Sequence, residues 1–352
     1  MDLLTSNEKS KLFKLFDSVK DTKENVSDTS SILLVDFYNL VMRSYAAVST
    51  LNSDGQHVGA IVGTLKGLVS AIKFLKPNRC IIIADGKNSS QKRKAIYPEY
   101  KNNRNSKLRL NRIYEEISEI SDEEESLKKQ IYRIIEYFQC LPITFLSVDN
   151  VEADDTISFC ALDFFKDKNV VIMSTDKDFL QLVSDRIKVW SPIKKKLYGE
   201  ADVINEYNIH PKNFVIFRSL DGDISDNING IKGCGKKTIV KSFGFLSKNV
   251  EATVDQIFEY SEKYQGKYKI YENVLENKNI VSRNYELMQL KNTNLPTHSQ
   301  LDVYNILNSP IKKLNRAGFI RCVQLDKISS SIQEYAFWLQ NAFTLLDNYC
   351  FE

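Results

Sequence analysis

Three carboxylates crowd one short stretch of this chain. Val151–Phe159 reads VEADDTISF and places Glu152, Asp154 and Asp155 within four consecutive positions at the mouth of an apolar helix. Like charges this close repel, and burying even one is costly. Acids favour the positive end of a helix, which accounts for one or two of them. Six more acids complete the set. Asp36 ends SILLVD, Asp85 ends RCIIIAD, Asp176 and Asp178 form the DxD of STDKDF, and Asp223 and Asp226 lie in GDISDN. Hard carboxylate oxygens of this kind hold magnesium, which keeps several waters of its own. Two such ions roughly 4 Å apart activate a water and steady the leaving oxygen of a phosphodiester.

Spacing within each motif suits a shared face. Asp176 and Asp178 are two apart, so in extended chain both side chains point the same way. Glu152 and Asp155 are three apart, as are Asp223 and Asp226, which places each pair on one helical face. Other readings stand beside these. A strand-end acid such as Asp36 is commonly a turn or cap residue, and STDKDF also reads as an N-cap followed by a first-turn acid. Capping does not by itself explain why so many acids recur at successive strand ends.

The elements that must position them follow from the hydrophobic pattern. SILLVDFY (31–38), RCIIIADG (79–86), PITFLSV and NVVIM are apolar, β-branched runs that read as buried strands. Between the first two, apolar residues at 58, 61, 62, 65, 68, 69, 72 and 75 keep helical spacing, and Pro77 ends the run. EEESLKKQIYRIIEYFQC is helical, and the VEADD helix follows the third strand. Strand alternating with helix predicts an α/β fold with a mostly parallel central sheet flanked by helices. In such sheets the ligand site lies beyond the carboxyl ends of the strands, so the first seven acids are expected on one edge. After residue 200 the pattern becomes helix, helix, glycine turn, helix, and the last hundred residues are helical. Residues 1–30 read as a polar N-terminal extension, 31–200 as the α/β core and 201–352 as a helical region.

Length and composition bound the rest. The chain has 352 residues, 43% of them hydrophobic, which can fill a core and argues against global disorder. Its six cysteines are scattered without a CxxC pair and read as reduced core thiols. Three histidines, at 57, 210 and 298, are too far apart in sequence for a zinc motif. The charged start MDLLTSNEKSKLFKLFDSVK is neither a signal peptide nor a membrane span, so a cytoplasmic location is expected, in the host if the chain is viral.

Net charge is only +3, but its distribution is uneven. Gly86–Ile113 holds nine basic residues against one acid, a net +8, and Tyr114–Glu125 holds seven acids and no base. Such a block, with Lys92, Arg93 and Lys94 at its head, suits a polyanion, most often nucleic acid. GDISDNINGIKGCGKKT (222–238) lacks P-loop spacing. Its Gly230, Gly233 and Gly235, followed by Lys236 and Lys237, suit a tight turn into a helix N-terminus that offers N–H groups and charge to phosphate. The same spacing also fits an ordinary helical hairpin with solvated lysines.

LLVDFYNL, IIIADG, VEADDTI, IMSTDKDFLQL and GDISDNINGIKGCGKKT resemble, in order and rough spacing, the motifs of the structure-specific 5′-nucleases. That family includes phage 5′-exonucleases, the 5′-nuclease domain of bacterial DNA polymerase I and flap endonucleases. The resemblance covers about residues 30–245. VWSPIKKKLYG and the helical end look most like the primer-removing ribonuclease H of T-even phages. The resemblance implies a PIN-like core with a helical arch at about 87–125 and a helix–turn–helix duplex grip at about 221–243.

It also implies a two-metal phosphodiesterase using magnesium, with manganese as a substitute and a potassium ion on the glycine-turn carbonyls. One metal site would draw on Asp36, Asp85, Glu152 and Asp154. The other would draw on Asp155, Asp176, Asp178, Asp223 and Asp226, some through water. Lys101 and Arg104 fall where the family steers the phosphate, and Tyr100 is a candidate to stack on a base beside the cut; it also reads as a packed arch tyrosine. Implied substrates are branched, flapped or nicked DNA and RNA–DNA duplex, cut in removing flaps and primers. The helical tail is a candidate dock for a single-strand-binding protein or sliding clamp, and a monomer without membrane contact is expected. Two rival readings are a PIN-type ribonuclease and a non-catalytic binder of branched DNA.

Overall fold

Alternating buried strands and amphipathic helices assemble as the pattern requires. The computed structural model describes residues 31–105, 120–332 and 335–347. The N-terminal extension and the stretch 106–119, with Lys107, Arg109, Arg112 and half of the acidic run, lie outside the described residues. A six-stranded sheet runs β3–β2–β1–β4–β5–β6. Its strands are β1 (Ser31–Asp36), β2 (Arg79–Asp85), β3 (Thr144–Val148), β4 (Asn169–Met173), β5 (Ile187–Ser191) and β6 (Lys196–Tyr198). All neighbours pair in parallel except β6, which returns antiparallel to β5 as a hairpin around SPIKKK. Strand order reverses between β1 and β4, which creates the crevice where α/β sheets bind ligands.

The central strands β1 and β2 are apolar on both faces because helices cover both. Leu33, Val35 and Ile82 point into one core, shared with helices α1 (Phe37–Ala47), α2 (Gly59–Leu75) and part of α4 (Ile120–Gln139). Ile32, Leu34, Ile81 and Ile83 point into the other, shared with α5 (Ala153–Phe159) and helices beyond residue 200. The alternation is the period of two that strand geometry imposes. A short α3 (Gln91–Ile96) and a 3₁₀ turn (Asn102–Asn105) follow β2. They and the first residues of α4 fall within the stretch expected to form the arch.

Past the sheet come α6 (Glu200–Tyr207), α7 (Phe214–Asp221), a two-stranded ladder of β7 (Gly222–Asp223) and β8 (Ile228–Asn229), then α8 (Lys236–Ser242). The expected helical face for Asp223 and Asp226 is therefore corrected. Asp223 is in the ladder and Asp226 in a 3₁₀ turn. Next come α9 (Val254–Lys263), α10 (Lys269–Glu276) and α11 (Lys278–Met288), and further helices follow. Among the described residues no helix is long and apolar enough to cross a membrane, and Cys80, Cys140, Cys160, Cys234 and Cys322 are free thiols.

Candidate active site

Three adjacent parallel strands deliver acids to the crevice. Asp36 and Asp85 are the last residues of β1 and β2, and Asp176 lies three residues past the end of β4. Local chemistry explains each position. Asp36 caps α1 by accepting from the Asn39 N–H at 3.1 Å, and Asp176 caps the 3₁₀ turn Lys177–Leu182 by accepting from the Asp178 N–H at 2.8 Å. Ser174 ties the two strands, donating from Oγ to Asp36 at 3.0 Å and accepting from the Asp176 N–H at 3.1 Å. The capping reading of these acids and their convergence are thus both true. DxD is not an extended pair, however, because the 3₁₀ turn bends it.

VEADD behaves differently. Glu152 occupies the N-cap position of α5 yet makes no capping bond with its side chain. Asp85 reaches across from β2 and accepts from the Ala153 N–H at 2.7 Å. Helix capping therefore leaves Glu152, Asp154 and Asp155 free for other partners. Glu152 is 2% exposed and forms ion pairs with Arg93 and, at 2.6 Å, with Lys101. Asp155 is buried against Arg93. Asp154, by contrast, is only partly buried and feels the fields of Asp176 and Asp36.

The acids differ in how readily they ionise. Burial, reinforced by Asp85, raises Asp36 to about 6 despite its hydrogen bonds. Burial and the neighbouring Asp178 raise Asp176 to about 7, with Asp226 and Asp36 adding to the repulsion. Asp154 is pushed well up by burial and Asp176, and burial outweighs Arg218 in raising Asp178. Burial alone would also raise Glu152, but Arg93 and Lys101 hold it below the ordinary range. At Asp223 burial is outweighed by the Ser225 hydroxyl and Arg218. Like charges held together out of water are relieved either by protons, as these upward shifts record, or by a cation.

Among the described residues no group of three or more acids, cysteines or histidines closes into a ready metal cage. Basic side chains are seated among the acids instead. Arg218 was not singled out from sequence. It donates to Asp178 at 2.6 Å, to Asp223 at 2.5 Å and to the Gly222 carbonyl at 2.7 Å. The signal was present, since a lone arginine inside the apolar FVIFRSL, five residues before Asp223, must find acids when buried. Ser174 and Asn39 were also missed; the latter accepts from the Thr175 N–H and hydroxyl at 3.1 and 2.9 Å.

Several expectations change. Arg93 is not a surface phosphate contact: it is 6% exposed and its guanidinium serves Glu152, Asp155 and the Leu287 carbonyl. Asp155 sits with Glu152 on that arginine. Tyr100 is the packed tyrosine. It is 2% exposed, with its hydroxyl oxygen within hydrogen-bonding distance of Glu152 at 3.2 Å and of Asp226 at 3.3 Å, its one proton shared between them, and Lys101 Nζ lying 4.8 Å from its ring centre. No ring face is left for a base. Lys94 is exposed, Lys92 is exposed and bonds the Thr293 carbonyl, and Arg104 lies on the 3₁₀ turn.

At the glycine turn the roles divide. Gly230 is needed because a Cβ there would overlap the Asp221 carbonyl, whereas Gly233 adopts φ +81°. Gly235 opens α8, Lys237 is exposed, and Lys236 donates to the Glu206 carbonyl at 2.6 Å while lying over the Tyr207 ring. The segment before the turn is laced to the stretch that follows α3: the Lys101 N–H donates to Asp226 O at 2.9 Å and the Asn227 amide to Glu99 O at 2.8 Å.

Acids gathered at the switch point of a parallel sheet, beside a basic segment, define the class as a PIN-like 5′-nuclease fold. Solved structures agree. The flap endonuclease of bacteriophage T5, in a complex with DNA and metal ions, superposes with a TM-score of 0.58 at 21% identity, covering 84% of this chain and 99% of that one. Flap endonuclease-1 from Methanococcus jannaschii gives 0.51 at 14% identity, covering 91% and 94%. The family model for the 5′-3′ exonuclease N-terminal resolvase-like domain matches residues 31–208. A 5′-3′ exonuclease of Aquifex aeolicus is 31% identical over 243 residues, 68% of this chain and 75% of that protein. One from Buchnera aphidicola is 29% identical over 311 residues, 87% and 96%. DNA polymerase I of Thermus thermophilus is 32% identical over 231 residues, 64% of this chain and 25% of that protein. The chain belongs to the 5′-3′ exonuclease family. It is therefore a phosphodiesterase, and the non-catalytic reading does not stand.

Proposed function

We propose that this protein is a magnesium-dependent 5′-nuclease that cuts near the junction of a 5′ single strand with duplex, on flapped or nicked DNA and on RNA–DNA primer ends, and that it removes primers and flaps in replication. One observation carries the reading: Asp36, Asp85 and Asp176 stand at the carboxyl ends of three adjacent strands, with Asp36 raised to about 6 by burial and Asp85, and Asp176 to about 7 by burial and Asp178. Such a donor set suits a hard divalent cation, magnesium foremost and manganese as a substitute. Relatives carrying the name 5′-3′ exonuclease and the fold of a phage flap endonuclease support it.

Asp36, Asp85, Asp154 and Asp176 would hold one ion, and Asp178, Asp223 and Asp226 the other, partly through water. When bound, these ions would supply an activated water and neutralise charge on the phosphodiester. The chain's own groups prepare that chemistry. Ser174 orients Asp36, and Arg218 holds Asp178 and Asp223 at fixed separation. Lys101, whose amine now rests on Glu152, lies at the edge where a phosphate would enter and offers it a charged donor, with Arg104 one 3₁₀ turn further along. Lys92 and Lys94 flank the entering strand. Gly233, Gly235, Lys236 and Lys237 would grip the duplex backbone, with a potassium ion on the turn's carbonyls.

The test is cleavage of a 5′-end-labelled flap duplex with and without magnesium, beside Asp176→Asn. Magnesium-dependent cutting near the junction, abolished by the substitution, is the expected result. Tight binding without cutting would overturn it.

A further inference from the structure

The stretch GDISDNINGI carries three isoleucines with opposite fates. Ile228 and Ile231 are buried in the core, whereas Ile224 is 90% exposed. The next most exposed large apolar side chain among the described residues is Val250, at 70%. Single apolar residues on a surface are ordinary. Ile224 differs in where it stands and in how it is held.

It lies between Asp223 and Asp226. Arg218 fixes Asp223, Asp226 is 3.3 Å from the Tyr100 hydroxyl, and both acids repel Asp178. The isoleucine therefore stands on the rim of the carboxylate cluster. Its backbone is pinned. The Asn103 amide donates to the Ile224 carbonyl at 2.6 Å, and the Asn227 N–H to the same oxygen at 3.2 Å. Ser225 donates to Asp223 through its N–H at 2.8 Å and its hydroxyl at 2.6 Å. The Lys101 N–H holds the Asp226 carbonyl at 2.9 Å. A β-branched side chain on so fixed a backbone has little rotamer freedom to lose when something covers it.

The choice of cover is narrow. A protein seated on Ile224 would also cover Asp223 and Asp226 and bar a phosphodiester from them. A nucleobase avoids that conflict, because its face is apolar and it carries its phosphate one sugar away. Isoleucine is among the side chains that serve as apolar wedges against base steps.

We infer that Ile224 packs against the face of the base next to the scissile phosphate and so fixes which phosphodiester reaches the acids. The inference rests on the nuclease reading for its substrate. It assigns to that site a specificity-determining contact that neither charge nor metal supplies.

Single-turnover cleavage of a 5′-end-labelled flap duplex by the full chain with magnesium, its products resolved to the nucleotide, tests it. Ile224→Ser should slow cutting about tenfold, the scale of one half-buried aliphatic contact, and spread the cuts over neighbouring phosphates. Ile224→Leu should recover most of the rate and the single cut. Both should melt with the wild type, because the side chain meets solvent and not the core. Flaps with an abasic site on either side of the cut identify the partner. On one of the two the wild type should slow and Ile224→Ser should lose its relative deficit, as when two changes remove one contact. Three outcomes would overturn the inference while leaving the nuclease reading intact. They are Ile224→Ser cutting at the wild-type rate and position, a full deficit on both abasic flaps, and a raised magnesium requirement, which would mean an effect through Asp223 and Asp226. A wild type that does not cut with magnesium would remove the nuclease reading and the inference with it.

Discussion

Arg93 meets Asp155 with both prongs of its guanidinium fork, Nη1 at 3.2 Å from Oδ2 and Nη2 at 3.0 Å from Oδ1. Both residues are buried, and the same group also pairs with Glu152 and donates to the Leu287 carbonyl. One side chain thus ties α3 to the VEADD helix and to α11. Breaking a buried pair strands the remaining charges, at a cost of about 3–5 kcal/mol. Arg93→Ala should lower stability by that order, and Arg93→Lys should recover only part of it because an ammonium cannot bridge both carboxylates as a fork. Urea denaturation measures this. An Arg93→Ala protein as stable as the wild type would refute the internal role.

The raised acids set a pH dependence for the metal-free protein. Asp36 rises to about 6 and Asp176 to about 7 from an unfolded value of 3.8, first through burial. Between 3.8 and about 7 the folded chain holds protons that the unfolded chain has lost, so stability falls as pH rises through that window. Magnesium competes with those protons. Its addition at millimolar concentration should raise Tm clearly at about pH 8 and little at about pH 5. A Tm indifferent to magnesium at both values would count against the acidic site.

Tyr100 and Lys101 separate positioning from base stacking. The Tyr100 hydroxyl bridges Glu152 and Asp226, so Tyr100→Phe, which keeps the ring, should reduce kcat while changing KM little. A purely stacking tyrosine would tolerate that change. Lys101→Ala should slow cleavage more than it weakens duplex binding, since its amine sits among the acids at 2.6 Å from Glu152. Single-turnover rates and binding isotherms on one flap substrate read both, and the reverse pattern would remove Lys101 from the reacting centre.

Glycine substitutions distinguish fold from contact. At Gly230 an added methyl group would overlap backbone atoms of Leu220 and Asp221, which cannot yield as a side chain does. Gly230→Ala should therefore destabilise the protein by roughly 1–3 kcal/mol and displace the adjoining Gly222–Asp223 ladder. Gly235 has φ −76° and no neighbour within 4 Å, so Gly235→Ala should fold normally. Thermal melts of the two variants check the contrast; equal stability would contradict it.

How far the sequence reaches is clearest at the strand ends. Asp36 and Asp85 could be placed because an apolar run ending in an acid is a local pattern, and local patterns report strands and their exits. The parallel sheet followed from alternation alone, and the family motifs led to the same acids. The β5–β6 hairpin was not read as a hairpin, because Pro192 and three lysines obscure its short strands.

Partner choice was another matter. Arg93 meets Glu152 and Asp155 across 59 and 62 residues, and Arg218 meets Asp178 across 40. No periodicity encodes which cation of a basic block turns inward, so Arg93 and Lys92 look alike in sequence and end in opposite environments. Tyr100 was equally undecided, since an aromatic in a basic segment suits a base or a core. What the sequence by itself determined was the kinds of group present and the strand ends that carry them, because side-chain chemistry and hydrophobic period are local. What only the tertiary structure decided was the strand order that brings β2, β1 and β4 side by side, and the seating of Arg93, Lys101 and Arg218 among the acids. Both depend on long-range packing and on the need of each buried charge to find an opposite one.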